Sequence, residues 1–424
     1  MKYRLGDICS ITKGSIGIMK AIPGPYTMIA LGEMDRSHND YQFDTKAVII
    51  PLVSSTGHGH ASMKRVKYFD GKFALGNILC AAVPLNENFV LAKYLHIYLH
   101  WNREELLVSQ MKGMANVSLP MNRIADVLVT VPSIEKQMEI IELEKKLVDK
   151  ELEADKLFID QLTQLENLNQ AILQEAVQGK LVPQDPNDEP AIELLKRIKA
   201  EKAKSGKKEK PLPPIKSEEI PFEIPESWVC CRVGEIADST SGGTPDRSNP
   251  NYWNGTISWL KSGELTDGYI ENESEEKITE EGFKNSSAKI FPKGTLLIAL
   301  YGATAGKLGI LKFESTTNQA VCGFFENEFY VTKYLFYYLW AFRGQIIEDS
   351  WGQAQPNISQ TYLKNFPFVM PPLSEQKRIV AEIENQLTKT KQLKEHIIAN
   401  QQATEQLLKA LLHQAFEVKE MAEV

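Results

Sequence analysis

A stretch of seven residues decides the architecture of this chain: Lys93-Tyr94-Leu95-His96-Ile97-Tyr98-Leu99 recurs 240 residues later, with two substitutions, as Lys333-Tyr334-Leu335-Phe336-Tyr337-Tyr338-Leu339. In each copy two tyrosines and two leucines fall on one face of a helix, which is typical of core residues. Three other stretches recur in the same order: Arg4-Leu5-Gly6-Asp7-Ile8 as Arg232-Val233-Gly234-Glu235-Ile236, Gly32-Glu33-Met34 as Gly263-Glu264-Leu265, and Asn116-Val117-Ser118 as Asn357-Ile358-Ser359. Because all four matches keep nearly the same offset, the sequence predicts an internal duplication.

Each repeat ends with an apolar stretch, a proline, a serine and a long heptad pattern. Ser133 and Ser374 are predicted to cap these helices, and Glu135 and Glu375 suit the positive end of the helix dipole. At a constant offset of 239 the heptads form two seams: Ile140, Glu144, Leu147, Glu151, Ala154, Phe158, Gln161, Leu165, Leu168 and Ile172 in the first helix, and Ile379, Ile383, Gln386, Thr390, Leu393, Ile397, Asn400, Thr404, Leu407 and Leu411 in the second. We expect the seams to pair within the chain as an antiparallel coiled coil; the alternative is that each pairs with a helix of another subunit.

The sequence therefore predicts five segments. Residues 1–132 and 227–371 form two α/β (α+β) domains in tandem, with approximate two-fold symmetry, because short β-rich runs such as 47–53, 295–300 and 308–313 alternate with helical patterns. Residues 133–181 form the first long helix, and residues 372–424 form the second with a tail. The segment 182–226 is rich in proline and lysine, which predicts a flexible, semi-extended connector; we interpret its lysines at 196–210 as solvated rather than phosphate-binding.

The composition indicates a folded protein, with 43% hydrophobic and 24% charged residues, and no apolar run is long enough to span a membrane. The first residues lack the apolar core of a secretory signal, so we expect a cytoplasmic location. The net charge of -7 is unevenly distributed: residues 1–132 carry 14 basic and 10 acidic side chains, residues 133–181 carry 6 and 11, and residues 227–371 carry 12 and 16. These values argue against strong non-specific DNA affinity but allow local phosphate contacts.

Recognisable catalytic chemistry is missing from the sequence. The five cysteines, which include no C-x-x-C pair, are interpreted as buried small hydrophobes. Residues 249–252 are only a near miss to a methyltransferase motif, and residues 302–308 have one residue too few between the glycines for a phosphate loop. The histidine pairs His58/His60 and His96/His100 have no thiol or carboxylate nearby at ligand spacing. We therefore expect no catalytic centre, no metal and no cofactor bound by this chain.

The duplicated unit and the helix after each proline resemble the specificity (S) subunits of type I restriction-modification enzymes. The local signatures are Ser241-Gly242-Gly243-Thr244-Pro245, Tyr252-Trp253-Asn254-Gly255, Ile257-Ser258-Trp259-Leu260, Gly302 to Gly306, Thr317-Asn318-Gln319 and Pro371-Pro372-Leu373-Ser374-Glu375-Gln376. The first repeat departs from them, because Lys13-Gly14-Ser15 lacks the Gly-Gly-Thr-Pro loop and residues 54–60 replace Tyr-Gly-Ala-Thr.

The resemblance implies two target-recognition domains that each read half of a split double-stranded DNA target through the major groove, with the helix pair as spacer. It also implies two methyltransferase (M) subunits and two restriction (R) subunits as partners. S-adenosylmethionine, ATP and magnesium are then expected on those partners, and no membrane is involved. Methylation and cleavage would reside in the partners as well.

Base readout requires polar side chains on loops whose backbone approaches the DNA closely. In the second domain the candidates are Ser241, Thr244, Lys261, Tyr301, Thr304, Lys307, Asn318, Gln319, Gln353, Gln355 and Asn357. In the first they are Lys13, Ser55, His58, Lys64, Arg65, Asn77, Lys112 and Asn116. Lysine and arginine would position the DNA backbone, whereas asparagine and glutamine would specify bases; each residue is alternatively a turn or capping residue.

Three other functions fit parts of the sequence. A coiled-coil scaffold would use the two domains to bind protein, and an enzyme would be a single-chain nuclease or methylase. A specificity subunit of a related methylation or defence system would share the whole architecture. Salt-sensitive binding to a two-part DNA site separates the scaffold from a DNA reader, and activity of the isolated chain would indicate an enzyme.

Overall fold

The computed structural model describes residues 1–56, 60–113, 117–204, 211–220, 222–350 and 356–417. Its internal contacts divide the chain into two compact units. Unit 1 combines Met1–Gln161 with His396–Val424, and unit 2 is Leu162–Glu395. Among the described helices, none is both long enough and apolar enough to cross a membrane.

Unit 1 is built on a mixed β-sheet. Its described strands are β1 (Lys2–Arg4), β2 (Cys9–Lys13), β3 (Tyr26–Ile29), β4 (Arg36–His38), β5 (Phe43–Pro51), β6 (Lys67–Leu75), β7 (Leu79–Pro84) and β8 (Leu128–Thr130). The main sheet has the order β2-β7-β5-β6-β3-β4, in which only β3 and β6 pair in parallel, and β1 pairs with β8 separately. Half-buried and exposed residues alternate along the first part of β5, and all residues of its second part are buried. Burial on both faces is expected of a strand at the centre of the sheet.

The helices of unit 1 cover one face of this sheet. They are α1 (Leu5–Ile8), α2 (Ala92–Trp101), α3 (Arg103–Leu106), α4 (Met121–Ala125) and the start of α5 (Ile134–Val177), with 3₁₀ turns at Ile18–Lys20 and Val108–Gln110. The repeated tyrosines and leucines of α2 are buried in this core, as the sequence predicted. The Tyr94 hydroxyl donates a hydrogen bond to Thr130 O at 2.6 Å, so the polar end of this buried ring is satisfied.

Two histidines of α2 form hydrogen bonds to the backbone of Val66, the residue directly before β6. His96 Nε2 lies 3.0 Å from Val66 O, and the Val66 N–H donates to His100 Nδ1 at 3.2 Å. Burial lowers the pKa of His96 to about 3 and the pKa of His100 to about 4. Both rings are therefore neutral structural residues at physiological pH, and protonation of His100 Nδ1 would remove the acceptor of the Val66 N–H.

Acidification is expected to destabilise unit 1. Because the folded-state pKa values lie below the ordinary value of 6.5, the unfolded chain takes up protons first, and stability is lost as the pH falls below that value. Each histidine should cost roughly 1.4 kcal/mol per pH unit until its folded pKa is reached. Thermal unfolding of the full chain between pH 7.5 and 4.5 would show this slope, which His100→Gln should reduce. His413→Gln, at an exposed position, is the control; equal slopes in all three proteins would contradict the assignment.

Unit 2 repeats the sheet of unit 1 with changes. Its described strands are β9 (Val229–Arg232), β10 (Ser239–Ser241), β11 (Trp253–Leu260), β12 (Gly268–Ile270), β13 (Glu276–Ile278), β14 (Leu296–Ala299), β15 (Leu308–Leu311), β16 (Thr316–Thr317), β17 (Val321–Phe324) and β18 (Pro367–Met370). They form sheets of order β10-β17-β14-β15-β12, β13-β11-β16 and β18-β9. The helices are the end of α5, α6 (Ala191–Lys204), α7 (Val233–Ile236), α8 (Glu280–Lys284), α9 (Thr332–Ala341), α10 (Arg343–Asp349), α11 (Gln360–Asn365) and the start of α12 (Leu373–Phe416), with 3₁₀ turns at Ser217–Glu219, Pro250–Tyr252, Ser262–Glu264 and Gly302–Thr304.

The shared topology confirms the duplication. The order β2-β7-β5-β6 of unit 1 recurs as β10-β17-β14-β15, and β1-β8 recurs as β9-β18. The end of β6 pairs in parallel with β3 through Ile29 and Leu75, as β16 pairs with β11 through Leu260 and Thr317. The long strand of unit 1 is thus divided into β15 and β16 in unit 2, where they belong to different sheets. The tyrosine bond also recurs, since the Tyr334 hydroxyl donates to Val369 O at 3.2 Å.

The connector differs from the flexible segment that its composition predicts. Residues 191–204 form helix α6, whose Ala191, Leu194, Leu195 and Ile198 are buried in the core of unit 2. An apolar stripe at helical spacing was therefore hidden among lysines. Residues 211–220 are held by Arg232, whose guanidinium donates to Pro213 O at 3.1 Å and to Pro214 O at 3.0 Å.

The two long helices run antiparallel in each unit. In unit 1, Gln401 Nε2 donates to Asp155 Oδ1 at 3.2 Å, and Glu405 lies close enough to Glu151 to contribute to its raised pKa, after the larger effect of burial. In unit 2, Thr390 Oγ1 donates to Asn169 Oδ1 at 2.7 Å. As residue numbers increase along α5, the numbers of the contacting residues on α12 decrease. The two helices are therefore antiparallel, as expected for an intramolecular pair.

The seam follows the predicted register only in part. Ile140, Ile172, Ile379 and Ile383 are buried, and Leu147, Phe158, Leu165 and Ile397 are half-buried. The prediction was wrong for four leucines that are exposed: Leu168, Leu393, Leu407 and Leu411. Asn169, Leu408 and Leu412 take the inward positions instead. A strict heptad drifts around a straight α-helix, which has 3.6 residues per turn, so some predicted positions leave the inward face.

The predicted serine cap is confirmed at the first long helix and wrong at the second. The Ser133 hydroxyl accepts from the Lys136 N–H at 3.4 Å and caps α5. Ser374 lies within the first turn of α12, and its hydroxyl bonds to Asp188 instead of capping. Glu375 is buried, accepting from Trp228 Nε1 at 2.9 Å and from Gln184 Nε2 at 2.6 Å, so it joins the connector to α12.

Candidate nucleic-acid interface

The glycine loop after β10 is held close to the loop between β16 and β17. The Gly242 N–H donates to Val321 O at 3.0 Å, and the Gly243 N–H donates to Thr317 O at 2.9 Å. A Cβ at Gly242 would lie 2.1 Å from Thr317 Oγ1, so only glycine fits there. Trp259 Nε1 donates to Gly243 O at 2.9 Å from a fully buried ring. A rigid support thus carries this loop.

Polar side chains converge above this support. The Thr244 hydroxyl donates to Gln319 Oε1, which leaves both amide hydrogens of the exposed Gln319 side chain for other acceptors. The Asn318 N–H donates to Leu260 O at 2.9 Å, and Asn318 Oδ1 is buried with no hydrogen-bond partner among the described residues. Ser241 ends β10 beside them. The structure therefore brings four of the predicted residues together.

The loop of residues 301–307 joins the same cluster. The Leu300 N–H donates to Ala320 O at 2.7 Å, and the Gly306 N–H donates to Ala299 O at 2.9 Å, so the loop stands next to Gln319. Tyr301 forms a β-bridge with Asn357, which is exposed. Thr304 and Lys307 are half-buried within the loop. Tyr301, Thr304, Lys307 and Asn357 thus belong to one surface with the glycine loop.

Two cations of this surface are paired with carboxylates. Lys261 Nζ lies 2.9 Å from Glu275 and 3.2 Å from Glu276, and these hydrogen bonds raise the pKa of Lys261. Arg247 bonds to Glu276, whose pKa it lowers, and its guanidinium lies 3.9 Å from the centroid of the Trp253 ring. Arg247 was not among the residues predicted from the sequence. The tryptophans at 253 and 259 could have indicated it, because an arginine side chain stacks on such rings.

Unit 1 has the counterpart of the glycine loop. The Gly14 N–H donates to Leu79 O at 3.0 Å, as Gly242 does to Val321, and the Asn77 N–H donates to Ile16 O at 2.9 Å. The exposed side chains of Lys13 and Asn77 therefore occupy the places of Ser241 and Gln319. The same offset of 228 that aligns Arg4 with Arg232 aligns Gly14 with Gly242. The sequence analysis already set Lys13-Gly14-Ser15 opposite the Gly-Gly-Thr-Pro loop, and the backbone hydrogen bonds place Gly14 there.

The other predicted residues of unit 1 lie on adjoining loops. The Ser54 N–H donates to Val117 O at 3.0 Å, and Lys112 exchanges two backbone hydrogen bonds of 2.8 Å with Ser118. The Ser55 hydroxyl accepts from the Lys64 N–H at 3.1 Å and thus serves the turn. Lys64 and Lys112 are exposed, whereas Arg65 pairs with Glu33 at 2.9 Å.

Four predicted contacts lie outside the described residues: His58, Asn116, Gln353 and Gln355. Among the described residues, no group of three histidine, cysteine, aspartate or glutamate side chains is placed to hold a metal ion. The described arrangement is a polar loop surface that can donate and accept hydrogen bonds and carries several lysines.

Comparison with known proteins shows which family has this arrangement. The sequence profile of the "Type I restriction modification DNA specificity domain" matches residues 1–174 and 225–400, one match for each repeat. The chain belongs to this family. The specificity-domain profile thus covers both recognition regions and most of both long helices, and it excludes most of the connector.

Curated relatives are specificity subunits. The chain is 32% identical over 283 residues to the type I restriction enzyme EcoEI specificity subunit of Escherichia coli, covering 61% of this chain and 46% of that protein. It is 35% identical over 266 residues to the EcoAI specificity subunit of Escherichia coli, covering 57% and 42%. The matches therefore span less than half the length of these relatives.

Solved structures share the specificity-domain fold over nearly the whole chain. One comes from work on the structural basis of complex assembly and conformational transition of the type I R-M system, with a TM-score of 0.65, 16% identity and coverage of 98% of this chain and 97% of that one. The crystal structure of the HsdS subunit from Thermoanaerobacter tengcongensis gives a TM-score of 0.54, 16% identity and coverage of 98% and 96%. At this identity the likeness concerns the fold alone.

Proposed function

We propose that this chain is the DNA-reading, non-catalytic subunit of a type I restriction-modification complex, and that each unit reads one half of a two-part double-stranded target. The observation that carries the proposal is the loop surface common to both units. The Gly14 N–H donates to Leu79 O as the Gly242 N–H donates to Val321 O, and the Gly76 N–H donates to Ile29 O as the Asn318 N–H donates to Leu260 O. Asn77 and Gln319 each follow the second donor directly, so different side chains stand on an equivalent backbone. Two half-sites of different sequence require loops with an equivalent backbone and different polar side chains.

The chemistry of the surface suits base readout in the major groove. Amide side chains such as Gln319 and Asn77 offer adjacent donors and acceptors, which match the edges of base pairs. The buried and unpaired Asn318 Oδ1 is the kind of acceptor that a ligand donor satisfies. The exposed Lys13, Lys64 and Lys112 suit phosphate contacts that set the register of the DNA.

The partners in this proposal are two methyltransferase and two restriction subunits, acting in the cytoplasm. S-adenosylmethionine, ATP and magnesium would be bound by those subunits. Neighbouring exposed apolar side chains on the long helices support a docking role, because contiguous exposed apolar patches favour protein contacts. In unit 1, Val148 and Leu152 lie one turn apart on α5 and are 37% and 59% exposed.

The function is tested by reconstitution. The chain, co-expressed with a type I methyltransferase subunit from the same host, should methylate host DNA at one two-part sequence, which sequencing of modified bases would reveal. Binding of that sequence by the complex should weaken steeply with salt. Methylation or cleavage by the isolated chain would indicate an enzyme. Assembly of a complex without any DNA selectivity would indicate a protein-binding scaffold.

Replacing Leu152 with glutamate should weaken assembly with the methyltransferase by about tenfold or more, because a charge would be buried in an apolar contact. The thermal stability of the free chain should hardly change, since the residue faces solvent there. Titration by analytical ultracentrifugation would measure the affinity. Lys146→Glu, another exposed position on α5, is the matched control; an equal loss in both variants would count against this docking surface.

A further inference from the structure

A buried glutamine fastens each long helix to its recognition domain. Gln137 is 0% exposed near the start of α5, and its Oε1 accepts from the Leu91 N–H at 2.9 Å. Its Nε2 donates to Phe89 O at 3.0 Å and to Pro132 O at 2.9 Å. Leu91 is the N-cap residue of α2, which has no side-chain cap of its own. One side chain therefore joins the long helix, the proline segment before it and the central helix of the domain.

The same contact recurs in unit 2. Gln376, also 0% exposed, accepts from the Val331 N–H at 2.8 Å and donates to Pro371 O at 3.0 Å. Val331 is the N-cap residue of α9, which likewise lacks a side-chain cap. Loop side chains diverge between the two repeats, yet the bonds of this buried glutamine to the helix N-cap residue and to the preceding proline segment recur in both.

Only glutamine satisfies these sites. A leucine of similar size would leave a backbone N–H and one or two carbonyl groups without partners, and a glutamate would bring a charge against those carbonyls. Asparagine is one methylene shorter and would not reach. The contact thus fixes the direction of the domain on the helix more strictly than apolar packing does, because hydrogen bonds are directional.

The two junctions are not equally reinforced. In unit 2, Glu375 bonds to Trp228 and Gln184, and Arg378 Nη2 donates to Asp188 Oδ2 at 2.6 Å. In unit 1 the residue that corresponds to Glu375 is Lys136, which is exposed and pairs with Glu139 along the helix. A long contact of 3.5 Å between Trp101 and Glu144 is the other polar bond from α5 to α2 among the described residues. Gln137 therefore carries a larger share of its junction than Gln376 does.

We propose that Gln137 and Gln376 are positioning residues that fix the direction of each recognition domain on its long helix and thereby set the separation of the two half-targets that the chain accepts. The inference rests on the proposed function. A residue that reads bases would alter half-target sequence preference, whereas these residues should alter preference for the length of the unread gap.

The test uses the full chain in complex with its methyltransferase subunits. Binding is measured for DNA with the natural gap, with a gap one base pair shorter or longer, and with single base changes in either half-target. Gln137→Leu should reduce the preference for the natural gap by about tenfold, the equivalent of 1.4 kcal/mol, and leave base preferences unchanged. Gln376→Leu should have a smaller effect of the same kind. Gln164→Leu, at an exposed position on α5, should have none.

Each other outcome counts against the inference. An unchanged gap preference in both variants overturns it, and so does a uniform loss of binding on all DNAs, which indicates a purely structural role. If Gln137→Leu does not fold, the gap preference of Gln376→Leu tests the inference. That variant should still fold, because the bonds of Glu375 and Arg378 remain at its junction. If the wild-type complex selects no two-part DNA at all, the proposed function fails first, and the inference falls with it.

Discussion

Replacing Arg232 with alanine is expected to lower the free energy of unfolding of unit 2 by about 3 kcal/mol, the lower end of the range for breaking a buried ion pair. The side chain is 3% exposed, and its guanidinium bonds to Glu219 at 2.9 and 2.8 Å and to Asn365 O at 2.7 Å, in addition to the two proline carbonyls. Alanine would leave all these acceptors unpaired. Because Glu219 is partly exposed and can recover water, the upper end of the range is not expected.

The duplication supplies the matched control for this variant. Arg4 occupies the corresponding position in unit 1, where its side chain is 65% exposed and lies 3.7 Å from Asp126. Arg4→Ala should therefore change the stability by no more than about 0.5 kcal/mol. Urea unfolding of the full chain would measure both variants, and limited proteolysis should show faster cleavage near residues 211–220 in Arg232→Ala only. Equal effects at the two positions would contradict the role given to the connector.

Replacing Gln319 with alanine is expected to reduce binding of the half-target read by unit 2 by about 10- to 100-fold, the value of a good amide contact to a base. The loss should be largest at one base pair, because the Thr244 hydroxyl fixes the orientation of the Gln319 amide. Thr244→Ala should relax the same position, and the double variant should lose less than the sum, since the two side chains act together.

Competition between DNAs with single base changes would measure this selectivity. Gln345→Ala, an exposed glutamine of unit 2 on α10, is the control and should leave the selectivity unchanged. A uniform loss over all sequences would mean that Gln319 contacts the DNA backbone, and no loss would remove the loop from the interface. The half-target read by unit 1 should be unaffected in either case.

The architecture was predictable because it is encoded by repetition. The tyrosine and leucine pattern at 93–99 and 333–339 marks a core helix at any position, and copies of it at one offset identify two domains without knowledge of the strands. The exposed leucines at 168, 393, 407 and 411 show the limit. Leu407 and Leu411 are each followed by another leucine, so the apolar pattern there fits two registers equally well. Only contacts across the helix pair, such as Asn169 with Thr390, select one register.

Other features depended on contacts that a single sequence does not reveal. Helix α6 was hidden because lysines dominate the composition of its segment, while its buried stripe is only four residues. Gln376 belongs to a local signature of the family, but nothing in the sequence showed that it is buried; Gln137 was marked by the offset of 239 that the two glutamines share with the seam. The loop surface was partly predicted in unit 2, where sequence signatures exist, and less so in unit 1, where Gly14 stands in for a longer motif.

Unit 1 is built from two distant segments of the chain, which has a consequence for its biosynthesis. Leu408, Leu412 and Phe416 pack into the same core as α2, and the Phe416 ring lies 5.1 Å from that of Tyr98. On the ribosome, the core of the first domain is incomplete until residues more than 300 positions later have been synthesised. At usual elongation rates this takes roughly tens of seconds. Contacts of such high order slow folding and leave an apolar surface open meanwhile. The nascent first half therefore leaves part of its apolar core surface exposed until the second long helix has been made.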